Sequence, residues 1–291
     1  MSWRCSEAAQ QRGDPGYASA PPAQQWLLLE HPGPWGRHIL TGSGLEAEVA
    51  RALARWAGRA GSRVLLIRRP EPARRAGPRR RWCWADSRPG REQLRWGSLT
   101  DNAEVLDVLR DPPVAGECSD QPVYLVCTHG KHDVCCALRG RPVAAALAAE
   151  HPQRTWECSH VGGDRFAANL VLLPHGLYHG HVSAAAASEI VRGYDQRRLS
   201  VEWLRGRSAL PAPVQAAQHF LRTATGETGV DSYPPVCCEP TGPDQWTVRL
   251  AAEPAGFVTV VVRARMQPTA DPLTCTATHP GAVRLFELVS G

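Results

Sequence analysis

The sequence has no run of about 18 apolar residues, which is the minimum length for a membrane-spanning helix. Its first 25 residues lack the apolar core of a secretory signal, so we expect a soluble, cytoplasmic protein that contacts no membrane. Lysine is almost missing: of 33 basic residues, only Lys131 is a lysine and the others are arginines. The net charge of +5 is too mild to indicate a nucleic-acid partner.

The densest group of positive charge is an arginine run inside a Pro/Gly-rich stretch. It consists of Arg74, Arg75, Arg79, Arg80 and Arg81. No aromatic side chains are interleaved with it as a stacking platform for bases, and blocks of like charge in loops are generally solvated. We therefore interpret the run as a solvated loop and predict no nucleic-acid partner.

The apolar pattern divides the chain into four segments. Residues 1–23 are polar and aperiodic and predict a disordered tail. Residues 24–115 and 118–205 each show strand, helix, strand order, which predicts two α/β units, the second close to thioredoxin-like in size and order. Residues 206–291 combine one helix with alternating strands and predict a small α+β appendage.

Cysteine is plentiful, with ten residues, yet no export signal accompanies it. In a long chain of this kind, cysteines indicate reduced thiols, a metal site or redox chemistry rather than a disulfide framework. The C-x-x-C spacing of a thioredoxin motif is absent. Four of the cysteines and seven histidines fall between residues 127 and 181, and thiolate with imidazole is a common ligand set for Zn, Fe or Cu.

Two segments concentrate these side chains. The first, CTHGKHDVCC at 127–136, runs from a strand end over a loop into a predicted helix, whose N-terminus favours thiolates. The second, WECSHVGGDRFAAN at 156–169, ends a strand in a Gly-Gly turn and offers Cys158, His160 and Asp164 as possible ligands. If both loops lie at the same end of one α/β unit, their side chains converge.

The motifs CTHGKHDVCCALRGRP and WECSHVGGDRFAANLVLLP, in this order, resemble the sucrase/ferredoxin-like family of thioredoxin-like [2Fe–2S] proteins. HPGPWG near residue 31 and VLLIRRP near residue 64 are similar to the N-terminal half of that family, so the resemblance spans roughly residues 25–205. It does not imply glycosidase activity, because the chain shows no carboxylate pair suited to that reaction.

The resemblance implies a set of cluster ligands. The family pattern is Cys, eight residues, Cys, and later H-x-G-G-H; Cys127, Cys136 and His160 match it, and Asp164 stands at the second histidine position. The implied protein is an electron carrier with a [2Fe–2S] cluster, no substrate of its own, and a reductase or oxygenase-type redox partner. An aspartate ligand adds negative charge and predicts a lower potential and a more labile cluster than two histidines do.

Several alternatives stay open. The fourth ligand is Asp164, Cys158, His175 or His179, or the cluster has been lost. A thiol–disulfide oxidoreductase would use Cys127 with Cys135, Cys136 or Cys158, and a zinc-stabilised structural module would use the cluster ligands. Whether the protein is an enzyme is therefore undecided, although an electron carrier is favoured.

The remaining candidates have plainer interpretations. Cys135 is expected to pack or support the site, and Cys118, nine positions before Cys127, repeats the ligand spacing by chance in a polar loop. His129 and His132 are either supporting donors or loop residues. Surface positions are expected for His175, His179 and His181. Arg139 and Arg165 either dock an acidic partner or form ordinary ion pairs. Packing, rather than a zinc site, is expected for Cys237, Cys238, Cys275 and His279.

Overall fold

A computed structural model describes residues 3–59, 61–70, 79–111, 114–254 and 256–290. Within these ranges the strands form two sheets, one of ten strands and one of four, which we call the large sheet and the small sheet. The prediction of an α/β protein with a separate small appendage is confirmed. No helix in the described part of the chain is both long and apolar enough to cross a membrane.

The helices are α1 (Cys5–Arg12), α2 (Ile39–Gly42), α3 (Ala47–Ala57), α4 (Val105–Val108), α5 (Val134–Glu150), α6 (Ala184–Asp195) and α7 (Ala212–Thr225), with short 3₁₀ turns at Asn102–Glu104 and Asp164–Phe166. The strands are β1 (Gln25–Glu30), β2 (Ser62–Arg68), β3 (Arg80–Asp86), β4 (Gln93–Leu99), β5 (Glu117–Cys118), β6 (Val123–Cys127), β7 (Thr155–Cys158), β8 (Leu170–Leu173), β9 (Leu177–His179), β10 (Leu204–Arg207), β11 (Pro235–Gly242), β12 (Gln245–Ala252), β13 (Gly256–Pro268) and β14 (Ala282–Ser290).

The large sheet contains the same arrangement twice. Its strand order is β10-β9-β8-β6-β7-β2-β1-β3-β4-β5. In one half β1 and β2 are parallel and connected through α3, and β3 and β4 follow as antiparallel neighbours on the far side of β1. In the other half β6 and β7 are parallel and connected through α5, followed by antiparallel β8 and β9. The two predicted α/β units are thus related halves of one sheet.

The halves meet where β2 pairs antiparallel with β7. The register places Ile67 opposite Cys158 and Arg68 opposite Glu157, and Arg68 donates a hydrogen bond from Nε to Glu157 Oε2 at 2.6 Å. Both side chains are buried at this junction. Strand β7, which forms this junction, carries Cys158 and leads directly into His160.

The segment predicted to be a disordered tail is ordered over residues 3–23. It contains α1, and Cys5 and Ala9 are completely buried. The buried side chains of this segment are small, so they create neither a strong amphipathic period nor an apolar run. Their burial comes from contact with distant residues, Cys135 and Ala167 among them, and such contacts cannot be read from local sequence.

The appendage packs α7 against the small sheet, an antiparallel meander in the order β11-β12-β13-β14. The single helix and the alternating strands expected in residues 206–291 correspond to α7 and to strands of this sheet. The loop between β13 and β14 carries Cys275, whose Sγ lies 3.4 Å from Cys135 Sγ at the start of α5. In the arginine run, Arg74 and Arg75 lie outside the described residues, whereas Arg80 and Arg81 begin β3 instead of lying in a loop.

Candidate metal centre

The two motif segments meet at the carboxyl ends of β6 and β7. These strands are parallel, and the register sets Cys127 directly beside Cys158. Helix α5 begins seven residues after Cys127, with Asp133 as its N-cap: the carboxylate accepts a hydrogen bond from the Cys135 amide at 2.8 Å. The first turn of α5 therefore presents Cys136 toward the end of β6, where unpaired helix amides favour anionic ligands.

Gly140 allows this close approach of helix and strand. A Cβ built at Gly140 would lie 2.1 Å from the Cys127 carbonyl oxygen, a distance that no side chain tolerates. Helix α5 runs continuously from Val134 to Glu150, including Pro142. A glycine at this position is thus explained by helix–strand contact.

Three of the four predicted ligands converge. The Sγ atoms of Cys127 and Cys136 and a ring nitrogen of His160 all lie within 4.8 Å of one another. Contact with the Cys136 thiol holds the pKa of Cys127 well below its usual range. Burial acts against this shift, and His160 adds to it. The same thiol pair and burial raise the pKa of Cys136. The contact between the two sulfur atoms thus shifts their pKa values in opposite directions.

Asp164 reaches the same point from the Gly-Gly turn. Its Oδ1 accepts a hydrogen bond from Cys136 Sγ at 3.2 Å and lies 3.0 Å from His160 Nδ1. Burial opposes ionisation, but His160 and Cys136 keep the pKa of Asp164 below its usual value. Burial also opposes ionisation of His160 by lowering its pKa, but Asp164 and Cys127 outweigh this effect and raise the pKa to about 9. The buried His160 Nδ1 makes this close contact with Asp164 without forming a well-aligned hydrogen bond to any described residue.

The turn before Asp164 is held by Arg205, a residue that the sequence did not single out. Gly162 and Gly163 have φ of +96° and +83°, and a Cβ at Gly163 would lie 2.5 Å from the Arg205 guanidinium. Arg205 is buried and donates hydrogen bonds to the Gly162 carbonyl at 2.9 Å and to Asn169 Oδ1 at 2.6 Å. Asn169 in turn donates to the Gly163 carbonyl at 2.9 Å. No local pattern marks Arg205, since its partners lie far away in sequence.

His129 and His132 both contact the site without replacing a predicted ligand. The His160 amide donates to His129 Nδ1 at 3.3 Å, so the proton of His129 resides on Nε2, which donates to the Gly36 carbonyl at 2.9 Å. The ring of His132 stacks on that of His160, with centroids 3.7 Å apart, and its Nε2 lies 3.8 Å from Asp164 Oδ2. His132 is therefore a further possible ligand beside Asp164.

The alternative fourth ligands differ in their positions. Cys158 adjoins Cys127 in the sheet, and burial raises its pKa. His175 contacts Tyr194 and Arg197 instead of the two cysteines, and His179 lies buried in β9. The predicted surface location is wrong for both histidines, because β8, β9 and α6 bring them into the interior.

The other residues considered in the sequence lie outside the group formed by Cys127, Cys136, His160 and Asp164. Cys118 is exposed on β5, away from the convergence point. Arg139 pairs with Glu7 at 2.7 Å, and Arg165 lies 3.3 Å from Asp14. Cys135 points away from Cys127, toward Cys275.

Comparison with known families gives one result that bears on this centre. A family model described as sucrase/ferredoxin-like matches residues 17–206, a range that includes all four predicted ligands and Arg205 but neither Cys5 nor Cys275. The comparison with curated proteins and the comparison with solved structures each gave no match.

Proposed function

Because the chain belongs to the sucrase/ferredoxin-like family, we propose that Cys127, Cys136, His160 and Asp164 hold a [2Fe–2S] cluster and that the protein transfers electrons. The observation that supports this most directly is the convergence of two thiols and an imidazole within 4.8 Å at one end of the large sheet. When bound, such a cluster accepts and releases one electron at a time.

The residues suit this group by their chemistry. Both thiols are buried, contact with Cys136 and His160 lowers the pKa of Cys127, and the α5 N-terminus favours negative charge. His160 brings a ring nitrogen within 4.8 Å of both sulfur atoms, and imidazole is a known ligand of [2Fe–2S] clusters. Asp164 supplies a carboxylate where the family pattern has an imidazole, so this ligand set carries one more negative charge than a Cys₂His₂ set.

The surface beside the centre suits an acidic redox partner. His132 is partly exposed and stacks on His160, which places an aromatic edge between the centre and solvent. Lys131 and Arg37 are exposed on the adjoining loops. Cations around a partly exposed edge would orient an acidic reductase or oxygenase-type acceptor during encounter, and this attraction weakens as salt increases.

The decisive test is the iron content of protein purified without oxygen. We expect about two irons and two sulfides per chain, with a red-brown colour, as the formula of the cluster requires. Cys136→Ser should lose both iron and colour. Cys118→Ser is the matched control, because Cys118 repeats the ligand spacing in sequence but is exposed and remote; it should retain both.

A protein that stays colourless after reconstitution with iron and sulfide would overturn the proposal. Alkylation of the colourless protein would then separate the two alternatives. A Cys127–Cys136 pair that is alkylated only after reduction would indicate a thiol–disulfide oxidoreductase, and a pair that is alkylated only after metal removal would indicate a bound metal.

A further inference from the structure

A second group of sulfur ligands lies on the other side of the α5 N-terminus. Cys5, Cys135, Cys275 and Asp133 each offer a ligand atom, and the four atoms lie within 4.8 Å of one another. We call this group the tri-cysteine site. Its residues come from α1, from the start of α5 and from the β13–β14 loop, so three distant parts of the chain meet there.

The distances approach those of a tetrahedral metal site. Zinc–sulfur bonds of about 2.3 Å place tetrahedral sulfurs about 3.8 Å apart, and a carboxylate oxygen lies slightly closer to each sulfur. The Sγ atoms of Cys135 and Cys275 are 3.4 Å apart, and Cys5 Sγ lies 3.7 Å from each oxygen of Asp133. Small outward movements would admit an ion at the centre of all four.

The carboxylate is oriented for such a role. Asp133 Oδ1 accepts from the Cys135 amide at 2.8 Å and Oδ2 accepts from the Cys275 amide at 2.7 Å. These two bonds orient the carboxylate, and each oxygen retains a second lone pair for a metal. Hydrogen bonds that orient a ligating carboxylate are typical of metal sites.

The surroundings favour metal-bound thiolates over plain packing. Cys5, Cys135 and Asp133 are buried, and Cys275 is half-buried. The seventeen-residue helix α5 directs its N-terminus at the group, and helix N-termini favour anionic ligands. A disulfide between two of the cysteines would leave the third thiol facing a buried carboxylate, whereas one cation engages all four groups.

We propose that the tri-cysteine site binds one Zn²⁺ ion. Soft thiolate donors select Zn²⁺ among common divalent ions, and a closed four-ligand set is characteristic of a structural site. Bound zinc would fasten α1 and the β13–β14 loop to the first turn of α5. This site lies outside the [2Fe–2S] proposal and does not depend on it.

Zinc and iron measured together on the full chain provide the test. We expect about one zinc per chain in addition to any iron. Cys5→Ser and Cys275→Ser should each lower zinc at least fivefold, while Cys238→Ser, in the same appendage but outside the site, leaves zinc unchanged. Cys275→His should restore zinc, since imidazole is also a zinc ligand, whereas a packing role would not be rescued in this way.

Cobalt gives a second readout that does not rely on how the protein was purified. The chelator-treated protein, titrated with Co²⁺, should show thiolate-to-cobalt charge-transfer absorption that Cys275→Ser abolishes and Cys127→Ser retains.

Two results would overturn the zinc site. One is zinc that is lost in Cys127→Ser but kept in Cys275→Ser, which would assign the ion to the other centre. The other is a Cys135–Cys275 disulfide found by alkylation and mass spectrometry in protein that contains no zinc. Iron content distinguishes this outcome from failure of the cluster proposal, because a zinc-free protein with two irons contradicts only the zinc site.

Discussion

At the scale of single residues, Asp164 contributes the carboxylate of the candidate metal centre. It is buried, contacts Cys136 and His160, and keeps its carboxylate ionised through those contacts. A carboxylate at this position changes the charge of the centre without changing its location, because the turn is held by Gly163, Arg205 and Asn169. Local charge, and not a new shape, is therefore the main difference from the His-containing family pattern.

We predict that Asp164→His raises the midpoint potential of the bound cluster. Replacing an anionic ligand by a neutral imidazole stabilises the reduced, more negative state, and slower loss of iron in air should accompany the change. Protein-film voltammetry measures the potential. Asp195→Asn, remote from the centre, serves as a charge control, and a potential that is unchanged or lowered in Asp164→His would argue against carboxylate ligation.

At the scale of elements, α5 connects the chemistry to the sheet. Its first turn carries Cys136 toward one site and Cys135 toward the other. Its second turn approaches the end of β6 so closely that Gly140 faces the Cys127 carbonyl without a side chain between them. The position of both sites therefore depends on how this helix packs on this strand.

Gly140→Ala is expected to lower the free energy of unfolding by about 1–3 kcal/mol, because the new methyl group forces the helix away from Cys127. Helix propensity alone predicts the opposite sign, a gain of about 1 kcal/mol. Urea unfolding distinguishes the two. Gly193→Ala in α6 is the control: its Cβ would lie 3.4 Å from the nearest atom, an ordinary contact, so the propensity gain of up to about 1 kcal/mol is expected there.

At the scale of the whole molecule, the packing of β8, β9 and α6 buries histidines for which the sequence predicts surface positions. Burial lowers the pKa of His179 to about 3, and burial together with nearby arginines lowers the pKa of His175 and His181 to about 4. In the unfolded chain, histidine takes up a proton near pH 6.5. The folded protein therefore keeps these rings neutral over a range in which the unfolded chain is protonated.

The stability of the protein should consequently fall as pH decreases from about 6.5 to about 4. Over this range the unfolded state binds more protons, and each such histidine contributes a slope of up to about 1.4 kcal/mol per pH unit. His179→Gln should remove one such contribution, whereas His38→Gln, at an exposed position, should leave the slope as it was. Urea midpoints measured at pH 4.5, 5.5 and 6.5 give the slopes, and equal slopes in all three proteins would contradict the assignment.

Features with a local cause could be predicted from the sequence alone. The 127–136 segment leads from β6 over a loop into α5, and β7 ends before the Gly-Gly turn, as predicted, since apolar period, cap and flanking loops all lie within a few residues. The convergence of Cys127, Cys136 and His160 was also predictable, because parallel neighbouring strands end at the same edge of a sheet. Whether these residues bind a cluster remains a prediction.

The folded structure accounts for the remaining features. It placed the expected tail against α5, buried His175 and His179, supplied Arg205 beneath the Gly-Gly turn, and brought Cys5 and Cys275 to Cys135 across 130 and 140 residues of chain. Each of these depends on contacts between remote segments. The free energy that stabilises such contacts comes from burial of apolar surface in the folded protein. A local window of sequence cannot predict it, because the contacting residues lie far apart in the chain.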